Sequence, residues 1–97
     1  MPHTQLEPDE TDLRGQWIER GGAVVGDEIC RRIKALIATG ALEQVAGGVW
    51  ETLYRDRVDG RLWERTYPQS ELHGGGPPRL TLLDLDSARA KYGWPAA

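Results

Sequence analysis

The run DEICRRIKALIATG at 27–40 carries one apolar stripe, and that stripe constrains everything around it. Ile29, Ile33, Leu36 and Ile37 stand at i, i+4, i+7 and i+8, the spacing of one face of an α-helix. Asp27 is placed to cap the amino end, and Gly40 fits just past the carboxyl end. A helix with a single stripe needs an apolar surface to cover. The neighbouring segments are short, with period-two alternation and glycine breaks, so that surface is a β-sheet.

GQWIERGGAVV at 15–25 reads as a small hairpin turning at Gly21-Gly22. ALEQVA at 41–46 is a strand ended by Gly47-Gly48. VWETLYRD and RLWERTYP flank Val58-Asp59-Gly60, where Asp-Gly between aromatic-rich runs signals a second hairpin. An even-length loop puts Trp50, Thr52, Tyr54 and Asp56 on one face with Arg61, Trp63, Arg65 and Tyr67, and this register is favoured because it collects four aromatic residues. RLTLLDL at 79–85 supplies a further strand. DSARAKYG at 86–93 is a short helix with Asp86 or Ser87 as its cap and Gly93 as its terminator. Trp94-Pro95 pins the tail to the body.

The fold class that follows is α+β: a small antiparallel β-sheet packed by one principal α-helix, with a short C-terminal helix. Residues 1–14 form an acidic flexible lead-in, and residues 15–97 form a single domain. Two arrangements of the aromatic hairpin satisfy the sequence. In one, the aromatic and arginine face is open as a contact surface. In the other, the aromatics are the core beneath the helix, and the leucine-and-charge face lies outside.

Charge narrows the function classes. The net charge of −3 sits in residues 1–14, where Glu7, Asp9, Glu10 and Asp12 oppose Arg14 alone. The remainder is balanced, which suits neither a basic nucleic-acid binder nor an acidic mimic of nucleic acid. No apolar run approaches the ~18 residues of a membrane span. The start, MPHTQLEPDE, lacks the apolar centre of a signal peptide, and the one cysteine, Cys30, suits a reducing compartment; the expected location is the cytoplasm. Cys30 beside the apolar stripe reads as a buried structural thiol.

The polar motifs point away from catalysis. The two histidines, His3 and His73, lie far apart, and there is no CxxC, so no metal site and no cofactor are expected. Ser70, Glu71 and His73 are neighbours on one loop, which is not the geometry of a triad. Gly74-Gly75-Gly76 leads through Pro77-Pro78 into a strand, whereas a phosphate cradle needs a helix amino end to follow. The glycines permit a tight path and the prolines fix its exit.

LYRDRVDGRLWERTYPQSELHGGGPPRL at 53–80, preceded by DEICRRIKALI at 27–37, resembles immunity protein family twenty-seven of bacterial polymorphic toxin systems. The likeness covers most of residues 15–92, and its specific part is the WE…YPQSE.HGGGPP segment. Arg57 departs from the proline expected after Asp56, which loosens the turn. The resemblance implies a small cytoplasmic protein that binds and neutralises a cognate toxin domain, with no catalytic residues.

The residues expected to meet that partner are Tyr54, Asp56, Asp59, Trp63 and Glu64 of the hairpin, with Glu71 and His73 of the following loop. They combine aromatic area with carboxylates suited to a cationic active site. The next surfaces in order are the Arg31-Arg32-Lys34 face of the helix and the acidic tail. The competing functions are a regulatory binding module without a toxin and a small enzyme using His73 and Glu71.

Overall fold

The computed structural model describes residues 5–48, 50–69 and 76–95. Asp27 starts helix α1 (Glu28–Ala38), its carboxylate accepting from the Cys30 amide at 2.9 Å. The helix ends through Thr39, whose N–H donates to the Ala35 carbonyl, and Gly40 follows at φ +81°. Ile33 and Leu36 are buried and Ile29 and Ile37 pack beside them, so the stripe covers the sheet as its spacing requires.

The main sheet has five antiparallel strands in the order β1-β7-β6-β5-β4: β1 (Asp12–Arg14), β4 (Leu42–Gly47), β5 (Thr52–Asp56), β6 (Leu62–Thr66) and β7 (Arg79–Leu83). A separate two-stranded sheet is the hairpin β2 (Trp17–Arg20) and β3 (Ala23–Gly26), turning at Gly21-Gly22. The Asp56 N–H donates to the Arg61 carbonyl at 2.8 Å, so four residues, 57–60, lie within the closing pair of the β5–β6 hairpin. The Gly60 N–H donates to the Asp56 carbonyl at 2.8 Å, and Gly60 closes the turn at φ +78°, a conformation that favours glycine. The even loop sets Tyr54 opposite Trp63 and Thr52 opposite Arg65, the register that gathers the aromatics on one face.

That face is the core. Tyr54 and Trp63 join Leu13, Ile33, Leu36, Leu42 and Leu80 in one buried cluster under α1. Of the two arrangements open to the sequence, the aromatics-in arrangement is observed for Tyr54 and Trp63, while Trp50 precedes β5 and is 56% exposed. Burying a large indole and a phenol ring removes more apolar area from water than burying the alternating leucines of the other face.

The other face is also covered. Helix α2 (Leu85–Tyr92) lies on it through Ala88, and Leu53, Leu62, Leu83, Tyr92 and Trp94 complete a second cluster. The sheet is therefore the middle of three layers, where two layers with a partly open face were expected. The α2 cap is Asp84, its carboxylate accepting from the Ser87 amide at 2.7 Å, not Asp86 or Ser87. Strand β7 stops at Leu83, two residues earlier than the alternation suggests, which frees Asp84 to cap. Gly93, at φ 65°, ends the helix as its position predicts.

Part of the expected lead-in belongs to the sheet. Asp12–Arg14 pair with β7, and Leu13 is in the core. Leu6 packs on the same cluster. Two arginines hold this segment in place. Arg32 pairs with Glu10, and the Arg61 guanidinium donates to the carbonyls of Glu7, Pro8 and Glu10.

Candidate partner interface

The structure separates the residues expected to form the contact. Tyr54 and Trp63 are 3% and 0% exposed and have no surface to offer a partner. Asp56 is 4% exposed because its carboxylate accepts from the Val58 amide inside the turn. Glu64 points to the opposite face, is 8% exposed, and binds the Tyr92 hydroxyl at 2.6 Å and Lys91 Nζ at 2.7 Å. Burial, with the Glu64 carboxylate beside it, pushes the Tyr92 hydroxyl pKa far up, so Tyr92 stays protonated and donates. Asp59 is exposed, but both its oxygens are engaged by Arg61, one by the backbone N–H and one by Nε. Glu71 and His73 lie outside the described residues.

The turn of the aromatic hairpin is thus neutralised from within. Asp59 orients Arg61, whose guanidinium lies 5.1 Å from the Trp63 ring centroid and reaches the carbonyls of the amino-terminal segment. Asp56, Asp59 and Glu64 are each engaged by partners within the fold. Asp56 and Asp59 are engaged by neighbours two positions away, whereas the partner of Glu64, Tyr92, comes from 28 positions along the chain, which sequence alone does not reveal.

A different surface has the opposite character. Between α1, the β2–β3 hairpin and the chain leaving β6 is a cleft of about 560 Å³. Trp17, Val25, Ile37, Ala38, Tyr67 and Pro78 give it apolar walls. Trp17 is 37% exposed there. The hairpin stands off the main sheet as its own two-stranded unit, which opens the cleft beside α1.

Among the described residues, the charges on this cleft are all positive: Arg31, Lys34 and Arg65 line it, and no carboxylate does. Arg31 donates to the Gly26 carbonyl, and neither Arg31 nor Lys34 has a carboxylate partner among the described residues. Arg65 is held more firmly. Its guanidinium lies 5.6 Å from the Tyr54 ring centroid and 5.5 Å from that of Tyr67. One of its amino groups donates to the Thr52 hydroxyl at 3.2 Å. Its buried Nε has no acceptor among the described residues.

Cys30 also borders the cleft, and burial raises its thiol pKa, so it stays protonated and donates weakly to the Gln16 carbonyl. Sequence reasoning placed Arg31 and Lys34 on a secondary surface and did not single out Trp17 or Arg65 as partner residues. The signal for Arg65 was its place between Tyr54 and Tyr67 in the even register.

The family model described as Immunity protein 27 matches residues 19–84, from within β2 to the cap of α2. No curated protein and no solved structure matches the chain.

Proposed function

The chain belongs to the immunity protein 27 family, and on that premise we propose that it binds a cognate toxin domain in the cytoplasm and neutralises it. The observation that carries this reading is the span of the family match, which takes in β3 to β7 and α1 entire. The action is stoichiometric binding, not turnover. An open, apolar cleft edged by cations that have no carboxylate partner among the described residues supports it, because such a surface gains from being covered by another protein.

The test is coexpression with a candidate toxin domain taken from the neighbouring genes, followed by titration calorimetry of the two purified proteins. Rescue of growth together with a saturable complex is the expected result. Absence of both with a folded protein overturns the reading.

A further inference from the structure

Resting on that function, we infer that the cleft between α1 and the β2–β3 hairpin is where the toxin docks, and that it receives an acidic segment bearing an apolar side chain. Charge complementarity selects this occupant. Among the described residues, the cleft presents Arg31, Lys34 and Arg65 and no carboxylate. Away from the cleft, Asp12, Glu43, Glu51 and Asp59 each have an arginine or lysine partner. A basic segment would find its acidic contacts already taken on those surfaces and would meet repulsion at the cleft.

The two halves of the cleft recognise two features at once. The Trp17, Val25 and Ile37 walls remove an aliphatic or aromatic side chain from water. The Arg65 guanidinium, pre-oriented by Tyr54 and Tyr67, brings a fixed positive charge to the cleft wall for a carboxylate. Lys34, exposed on the outer flank of α1, adds steering charge at the rim.

The experiment measures the affinity of the cognate toxin domain for four proteins: wild type, Lys34→Glu, Trp17→Ala and Arg89→Glu. Arg89 is exposed on α2, in the layer on the other side of the sheet, and its reversal changes the net charge as much as Lys34→Glu does. Circular dichroism confirms that each variant is folded. Lys34→Glu alters an exposed side chain, so it keeps the test decisive if Trp17→Ala does not fold.

The expected result is roughly 10- to 100-fold weaker binding for Lys34→Glu, shrinking as salt is raised. Trp17→Ala weakens binding by a comparable factor with little salt dependence. Arg89→Glu stays within about twofold of wild type, since its charge is distant and screened. If wild type binds and both cleft variants bind equally well, the cleft is not the docking site, while the family function stands. If wild type binds no toxin, the function itself fails, and this inference fails with it. If sedimentation shows a wild-type dimer that Lys34→Glu dissociates, the occupant is a second copy of this chain and the inference is overturned.

Discussion

Arg32 of α1 meets Glu10 through two hydrogen bonds of 2.6 Å, across 22 positions of sequence. Arg32 is largely buried, and its guanidinium also donates to the Gln5 carbonyl at 2.7 Å. Glu10 holds the Arg32 pKa above its ordinary value, so the charge is retained in the fold. The amino-terminal segment is thereby part of the stability of the helix it lies against. Glu10→Ala removes the two short hydrogen bonds to this guanidinium and costs about 2 kcal/mol. Urea unfolding of the two proteins checks it; equal midpoints mean the segment does not contribute.

The apolar stripe makes a simpler prediction. Ile33 is 1% exposed, between α1 and the aromatic face of the sheet. Ile33→Asp places an uncompensated carboxylate there and destabilises by roughly 3–5 kcal/mol. The thermal midpoint reports it directly, and a midpoint unchanged within error is incompatible with this core.

What the residues reveal in isolation follows a physical division. The α1 stripe, the Asp27 cap and the Gly60 and Gly93 turns are local: each is decided by neighbours within a few positions, and each appears in the fold as the spacing requires. The even loop at 57–60 likewise fixes the β5–β6 register. The choice of face is not local, since Leu53 and Leu62 make the far side of the hairpin apolar as well. It is settled by α1 and α2 arriving from either side. The role of Glu64 is less local still: it is committed to Tyr92, 28 positions away. The cleft depends on how the β2–β3 hairpin stands against α1, which no pattern within either segment encodes.

Acid sensitivity follows from two carboxylates. The Arg79 guanidinium, bonded to Asp12 at 2.9 Å twice over, holds the Asp12 carboxyl below its ordinary value of 3.8. The Ser87 amide does the same for Asp84 at the α2 cap. Because both folded pKa values are depressed, their stabilisation is full above the ordinary value and disappears as pH falls through the folded values. Asp12→Asn and Asp84→Asn therefore lose stability at neutral pH, and the gap to wild type closes below about pH 4. Urea midpoints measured across that range test the sign; a gap that widens in acid contradicts it.

Reversing Asp56 and Glu64 together distinguishes structural carboxylates from binding ones. If both faced water at one hairpin end, Asp56→Lys with Glu64→Lys would keep the fold and weaken only a complex. The structure gives the opposite expectation. Asp56 closes the turn by accepting from the Val58 amide, and a lysine there has no acceptor to replace it. Glu64 faces Lys91 and the Tyr92 hydroxyl, so a lysine brings two ammonium groups together in a site that is 8% exposed. The double variant is expected to lose its cooperative thermal transition. Glu64→Gln, which keeps the size and one acceptor oxygen, costs only about 1–2 kcal/mol and retains that transition. Differential scanning calorimetry separates the cases. A double variant that melts cooperatively near the wild-type midpoint would return both carboxylates to the surface and reopen the hairpin as the site of contact.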